Sequence, residues 1–198
     1  MRRFGDSPIP PAIAALPILS PVQLQEADAI LFHGTDLISD GIEQWTDSFF
    51  SHVGMASYDP RTAEWDVIEA TTPEVRETPL RWYLSNYSDK QTPFPGVIVV
   101  YRWTGITPRQ AVAATQFALR QRSIGYGTAT DIDIAEYIAT RGLLHPHLTI
   151  DGKTWICSEL FEAGYLAADL QIHPTGDGIC IPNDIAIAPQ MQAIGRLI

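Results

Sequence analysis

Three side chains that together suit a cysteine nucleophile follow one another along the chain. His52 lies in Ser-His-Val-Gly-Met, Glu69 in Val-Ile-Glu-Ala and Cys157 in Trp-Ile-Cys-Ser-Glu-Leu. A thiolate attacks a carbonyl carbon, an imidazole takes up and returns the proton, and a carboxylate holds the imidazole in one orientation and tautomer. These residue types form the minimum set for a cysteine nucleophile, with Cys157 as the thiol, His52 as the base and Glu69 as the acid that orients the base.

Two neighbouring strands and one helix are expected to hold these side chains. The residue pattern predicts strands over 51–58 and 64–71, joined by a turn over 59–63. An apolar helical pattern runs from 154 to 168 and places Cys157 within about one turn of the helix start. The free N–H groups and the macrodipole at a helix N-terminus favour a thiolate.

Each of these residues also has an interpretation without chemistry. Cys157 suits a buried structural cysteine, His52 a core histidine bonded to the backbone, and Glu69 an exposed carboxylate on an edge strand. His52 shares its strand face with Gly54 and Ala56, which leave room beside the ring for a thiol or a helix end. Because carboxylates are rarely buried without a partner, Glu69 on an apolar strand favours a contact with the histidine.

Aromatic side chains supply further candidates. Tyr126 is bracketed by glycines, which permit close backbone approach, and its hydroxyl is a candidate donor to a developing oxyanion. The alternative is an aromatic residue packed in a loop. Four other aromatic residues either line a cleft or fill the core: Trp82, Tyr83, Trp103 and Trp155.

Several other motifs carry less chemistry. His145 and His147 lack a Cys or carboxylate set at metal-ligand spacing, which favours a surface loop. His33 and His173 are interpreted as ordinary histidines. The segment 125–127 lacks the Lys and Ser/Thr of a phosphate-binding loop, and the absence of a Gly-x-Ser-x-Gly motif disfavours a serine hydrolase of the α/β type.

The remaining pattern predicts an α+β protein with one domain over 26–198, preceded by a proline-rich irregular arm over 1–25. A mixed segment covers 74–95 with a short helix near 80–84, and a turn-rich tail follows 171. Further strands are expected over 29–33 and 96–103, and further helices after 35 or 36, after Thr107-Pro108, and from 131 or 133 to His145-Pro146.

Composition narrows the class of partner. A formal net charge of -10 argues against nucleic acid and against attraction to anionic membranes. Cys157 and Cys180 are too few for a disulfide framework, and their pairing has no support. Prolines interrupt the apolar N-terminal stretch, so we expect no signal peptide, and no run approaches the roughly 18 apolar residues of a membrane span. A cytoplasmic protein with free thiols is expected, and its oligomeric state is left open.

Taken in order, these segments resemble the permuted papain-like amidases of the NlpC superfamily, in particular the YiiX/YaeF-like group. The match covers most of residues 26–197. It runs through 27–32, 38–45, Ser-His-Val-Gly-Met at 51–55, Val-Ile-Glu-Ala at 67–70, 100–102, Gly-Tyr at 125–126, Cys-Ser-Glu-Leu at 157–160, and Pro-Asn-Asp-Ile at 182–185. Ala27 stands where the family has its opening glycine, and Gly127 where an Asp often follows the tyrosine.

The resemblance implies a circularly permuted papain-like fold, with an antiparallel, barrel-like sheet packed against the helix that carries the nucleophile. It implies the catalytic order His52, Glu69, Cys157, with Tyr126 facing the oxyanion, and no metal or organic cofactor. The implied reaction is cleavage of an amide in a peptide, a cell-wall-derived fragment or a small molecule. Two alternatives stay open: a lipid-directed acyltransferase or thioesterase on the same scaffold, and a non-catalytic binding module.

Overall fold

Six strands form one antiparallel sheet in the computed structural model, which describes residues 8–34, 43, 48–127, 154–172 and 180–198. Their spatial order is β4-β3-β2-β1-β5-β6. The expected α+β class, an antiparallel sheet packed against helices, is confirmed. The strands are β1 (Ala29–His33), β2 (His52–Asp59), β3 (Glu64–Thr71), β4 (Glu74–Pro79), β5 (Val97–Trp103) and β6 (Met191–Arg196).

The helices of the described residues follow local signals in part. α3 begins as predicted, because Pro108 takes its first position and Thr107 Oγ1 accepts a hydrogen bond from Gln110 N–H at 3.3 Å. α4 begins at Cys157 and not at the predicted Thr154. The helices are α1 (Pro11–Ala14), α2 (Leu80–Ser85), α3 (Pro108–Arg120), α4 (Cys157–Leu166) and α5 (Pro182–Ile187), with 3₁₀ turns at Pro21–Gln23 and Tyr87–Asp89.

α4 packs tightly between β2 and α3 on one face of the sheet. A Cβ atom at Gly164 would lie 2.8 Å from Met55 Cε and 3.2 Å from Ala114 O, so the missing side chain allows this close approach. The fully buried Tyr165 donates its hydroxyl to Ala27 O at 2.7 Å. The helix that starts with Cys157 is therefore fixed to the sheet along its length.

Side chains alternate along β2 as predicted. Val53 and Met55 join the core beneath α4, whereas Ala56 belongs to a second cluster on the opposite face, and His52 lies on that same face by strand alternation. The expectation that Gly54 leaves room for a thiol or a helix end is not what the packing shows. A Cβ at Gly54 would lie 2.2 Å from Val67 Cγ1, so the space above Gly54 is filled by β3.

A Gly54→Ala substitution is therefore expected to destabilise the fold by about 1–3 kcal/mol, because Val67 must move within a packed core. Unfolding in urea measures the free energy. Gly125→Ala is the matched control, since a Cβ there would lie 3.8 Å from Thr154 Cγ2, an ordinary contact. Equal free energies of unfolding for the two variants would show that Val67 moves away from residue 54 without loss of stability.

The N-terminal arm and the C-terminal tail meet at the edge of the sheet. Leu19 N–H donates to Arg196 O at 2.8 Å and Arg196 N–H donates to Pro17 O at 2.9 Å, so the arm lies beside β6. Within the predicted irregular arm, α1 forms one turn. The predicted turn-rich tail was wrong for 182–196, which form α5 and β6. The exposure of β6 does not alternate, because its pairing with β5 shifts between Gly195 and Ala193 and leaves a bulge at Ile194.

A buried ion pair anchors the start of β1. Asp28 is 1% exposed, and Arg102 Nε and Nη2 lie 2.7 Å and 2.6 Å from its two carboxylate oxygens. The preceding Ala27 has φ 65, a left-handed conformation that favours glycine. This geometry gives a physical reason for the glycine that the resembled family has at this position.

Several predictions fall outside the described residues. They are the helix after residue 35 or 36, the helix from residue 131 or 133, and His145, His147 and His173.

The segments predicted as strands over 29–33, 64–71 and 96–103 form β1, β3 and β5, the last of which begins at Val97. In the part of the chain that the structure describes, no helix has both the length and the apolar composition needed to cross a bilayer.

Candidate active site

Cys157 occupies the first position of α4, next to the start of β2. The residue before it, Ile156, is extended, and the cysteine is 8% exposed. The backbone N–H groups of Val53 and Ser158 lie near the sulfur and help to lower the pKa of the thiol. Ser158 Oγ donates to Cys180 O at 2.6 Å, which ties the tail to the start of the helix. The thiol therefore lies among free N–H groups, as the helix prediction required, but at the very first residue of the helix.

The later helix start has a structural cause. Trp155 N–H donates to Gly125 O and Gly127 N–H donates to Trp155 O, each at 3.1 Å, so residue 155 pairs in a short bridge. A residue with extended, paired backbone does not continue a helix. The bridge holds the segment that precedes Cys157 against the Gly-Tyr-Gly segment around Tyr126.

His52 contacts both of the other residues singled out in the sequence. Its Nε2 lies 2.8 Å from Glu69 Oε2, and its ring lies close enough to the Cys157 thiol for each group to shift the pKa of the other. Because the ionised carboxylate only accepts, Nε2 carries the proton and Nδ1 is the nitrogen that faces the sulfur. The ring stays 24% exposed and packs beside Phe32, with ring centroids 5.3 Å apart. The three predicted residues are thus brought together in one contact chain.

Glu69 is 1% exposed and accepts hydrogen bonds from three further side chains. Thr78 Oγ1 donates at 2.6 Å and Arg76 Nε at 3.2 Å to Oε1, while the Tyr83 hydroxyl lies 2.7 Å from both carboxylate oxygens. We call Arg76, Thr78 and Tyr83 the carboxylate cage. Sequence analysis missed this role, although Tyr83 was among the candidate cleft or core residues.

The contacts shift the pKa of each of the three residues so that its charged form is favoured. Burial raises the pKa of Glu69, but the hydrogen bond and charge of His52, with Thr78 and Tyr83, lower it to about 2. Burial lowers the pKa of His52, whereas the Cys157 thiolate and Glu69 raise it to about 10. Burial also raises the pKa of Cys157, yet His52 and the two backbone N–H groups bring it below its ordinary value. The arrangement favours a thiolate beside an imidazolium.

Tyr126 lies close to the start of α4 along the backbone. It pairs with Trp155 in the short bridge, its N–H donates to Pro73 O at 2.9 Å, and its half-buried ring packs against the core beneath α4. The bridge brings it near Cys157. The predicted contact of its hydroxyl with an oxyanion stays a prediction.

The other aromatic candidates mostly fill the core. Trp82 packs against Tyr83 and Tyr87, with ring centroids 5.2 Å and 4.9 Å away, and Trp103 packs against Tyr165 at 5.6 Å. Trp155 Nε1 donates to Gln121 Oε1 at 3.3 Å. The three indoles are partly buried and pack against the margins of the two cores.

A second histidine–glutamate pair lies at the end of β1. His33 Nδ1 is 2.7 Å from Glu43 Oε1 and 3.0 Å from Phe49 O, and its ring stacks on Phe49 at 4.1 Å. Both oxygens accept, so Nδ1 carries the proton. His33 is therefore a bonded, buried histidine that fixes residues 43 and 49 to the strand next to His52.

A groove of about 720 Å³ lies apart from this site, on the far side of α2. None of the residues in the contact chain lines it. Its walls are Pro21, Val22, Glu26, Tyr58, Ala63, Glu64, Trp65, Leu80, Arg81 and Leu84.

Comparison with known proteins supports the fold. The structure is similar to the crystal structure of the metalloprotein YiiX from Escherichia coli O157:H7, a DUF1105 protein, with a TM-score of 0.66 and 19% identity. The similarity covers 88% of this chain and 98% of that chain. No protein-family model and no curated protein matches the sequence. The YiiX-like architecture expected from the sequence motifs is confirmed at the level of fold.

The comparison structure is described as a metalloprotein, which raises the question of a metal site here. Among the described residues of this chain, no group of three or more His, Cys, Asp or Glu side chains is arranged to hold a metal ion. The contacts of His52 and Glu69 are made with side chains and a thiol of the protein itself.

Proposed function

We propose that this protein is a cysteine hydrolase that cleaves an amide bond through an acyl-enzyme on Cys157. The observation that carries the proposal is the position of His52, which bonds Glu69 at 2.8 Å and lies close enough to the Cys157 thiol for the two groups to shift each other's pKa. The YiiX-like fold is consistent with a hydrolase. The coupled pair supplies both an ionised nucleophile and a protonated acid before substrate arrives.

In the acylation step, the Cys157 thiolate attacks the carbonyl carbon of the amide and forms a tetrahedral oxyanion. The His52 imidazolium gives its proton to the leaving nitrogen, and the C–N bond breaks to leave a thioester on Cys157. Glu69 stabilises the imidazolium and keeps its ring in place. The amine product leaves with the proton it received.

In the deacylation step, neutral His52 takes a proton from a water molecule that attacks the thioester carbonyl. Collapse of the second tetrahedral intermediate releases the carboxylic acid and restores the thiolate beside the imidazolium. Free N–H groups at the start of α4 and the hydroxyl of Tyr126 are the proposed oxyanion donors. An amine or hydroxyl acceptor in place of water would make the same intermediate a transferase.

The proposed substrate is a peptide amide, a cell-wall-derived amide or a small molecule with an amide, and no cofactor takes part in these steps. The protein carries a formal net charge of -10, which favours neither nucleic acid nor anionic lipid surfaces. The lipid-directed alternative uses the same thioester chemistry. Choice of acyl donor is therefore the point that an experiment must decide.

Trapping of the acyl-enzyme tests the proposal. The protein is mixed with peptide p-nitroanilides, an acyl thioester or phospholipid vesicles, quenched in acid, and digested for mass spectrometry. We expect the mass of an acyl group on the peptide that contains Cys157 when an amide is present, and none in Cys157→Ala. Cys180→Ala is the matched control, because burial raises the pKa of Cys180 and keeps it a thiol.

Each outcome of the trapping experiment has a distinct meaning. An adduct from the thioester or phospholipid, and from no amide, would replace amide hydrolysis by the lipid-directed alternative. An absence of adducts from all three donors, together with a Cys157 that resists iodoacetamide near neutral pH, would contradict catalysis and favour a binding module.

A further inference from the structure

We propose that Tyr83 and Thr78 are positioning residues that hold Glu69 ionised and fixed, and thereby set the lowest pH at which the Cys157–His52 pair is reactive. The inference rests on the proposed function, because it assigns a role within the same site. It goes beyond that function by adding two residues that touch neither the thiol nor the reacting carbonyl.

The geometry of the carboxylate leaves it little freedom. Oε2 faces His52, Oε1 faces Thr78 and Arg76, and the Tyr83 hydroxyl lies 2.7 Å from both oxygens. A hydroxyl centred on the two oxygens resists rotation of the carboxylate about its last bond. His52 therefore meets an acceptor whose position is set from the side opposite to the imidazole.

The same contacts fix the charge state of Glu69. Hydrogen-bond donors stabilise a buried carboxylate and disfavour its acid form, whereas burial alone does the reverse. The charged or titratable groups that face Glu69 are His52 from β2, Arg76 from β4 and Tyr83 from α2, and Cys157 from α4 acts through His52. Thr78 adds a neutral donor.

Arg76 contributes less than the two hydroxyls. Its side chain is 41% exposed and its Nε–Oε1 distance is 3.2 Å, so water screens its charge. Thr78 is 7% exposed and Tyr83 is 4% exposed, and their bonds are shorter. After His52, the buried hydroxyls are thus the donors that contribute most to keeping Glu69 ionised as the pH falls.

The ring of Tyr83 is held independently of its hydroxyl. It packs against Phe32, Phe94 and Trp82 with ring centroids 4.8 Å, 6.4 Å and 5.2 Å away. A Tyr83→Phe substitution therefore keeps the packing and removes the donor. Thr78→Val removes the other donor at nearly constant volume, and Thr78→Ser keeps it.

The test is the pH dependence of Cys157 alkylation by iodoacetamide, measured in a Cys180→Ala background. Loss of one donor raises the pKa of Glu69, so we expect the acid limb of this profile, its loss of reactivity at low pH, to move upward in Tyr83→Phe and in Thr78→Val. The reason is that Glu69 then takes its proton at higher pH and no longer stabilises the imidazolium. Thr78→Ser is expected to retain the parental limb.

Tyr165→Phe is the matched control, because it removes an equally short hydroxyl bond, 2.7 Å to Ala27 O, away from Glu69. We expect it to lower stability and leave the acid limb in place. Unshifted limbs in both Tyr83→Phe and Thr78→Val would overturn the inference and leave the proposed function standing. If the parental Cys157 itself titrates like a free thiol, the proposed function fails and the inference fails with it.

Discussion

A His52→Ala protein is expected to lose amide turnover by a factor on the order of 10³ or more, because it lacks both the base that forms the thiolate and the acid that protonates the leaving nitrogen. His52 bonds Glu69 and lies beside Cys157. Initial rates on the substrate found by acyl-enzyme trapping measure the loss.

His33→Gln is the matched control for this substitution, since His33 belongs to the other buried histidine–glutamate pair. We expect His33→Gln to lose stability, as the Glu43 and Phe49 contacts are weakened, with a far smaller effect on turnover. A His52→Ala rate within a few-fold of the parent would mean that the imidazole takes no part in proton transfer.

Glu69→Gln is the second substitution with a large expected effect, a loss of turnover of roughly 10²–10⁴. The amide is neutral, so it no longer stabilises the imidazolium. Its NH₂ group is a donor, and it replaces an oxygen that accepts from His52, Thr78 or Tyr83. Glu64→Gln on the same strand is the control, because Glu64 forms an exposed pair with Arg81. Similar rates for the two variants would contradict the orienting role.

A comparison of the parent with Glu69→Gln also tests the charge of Glu69, through the stability of the fold. The pKa of Glu69 is about 2 in the fold and 4.5 ordinarily, so its ionised form stabilises the protein above pH 4.5. That contribution is lost as the pH falls toward about 2. The difference in free energy of unfolding between parent and Glu69→Gln should therefore shrink over this range. A difference that stays constant down to the lowest pH would place the proton elsewhere.

Much of the sheet was predictable because buried strands are rich in apolar and β-branched residues. Residues 29–33 and 97–103 lie in the middle of the sheet and are almost entirely buried at their first five positions. β4 was missed because Glu-Val-Arg-Glu-Thr-Pro is polar and ends in proline, as an edge strand often does. β6 was missed because Met-Gln-Ala-Ile-Gly-Arg does not alternate between polar and apolar residues, and a bulge interrupts its pairing.

The candidate site likewise has a part that the sequence predicts and a part that it does not. The types and order of His52, Glu69 and Cys157 are visible in the sequence, and the structure brings the three together. The carboxylate cage is not visible, because it depends on the register of β4, which places Arg76 opposite Glu69 and Thr78 opposite Val67. Recognition of a turn at Thr72-Pro73 between two strands would have predicted that register.

The pH dependence of Cys157 alkylation, compared between the Cys180→Ala parent and the same protein with His52→Ala, tests the central claim most directly. We expect the parental thiol to titrate well below the free-cysteine value of roughly 8.5. In the His52→Ala protein we expect its pKa to rise to that value or above, since the largest contribution that opposes burial is then lost. A parental thiol that titrates at the ordinary value, or one that does not respond to loss of the imidazole, would contradict an activated cysteine–histidine pair.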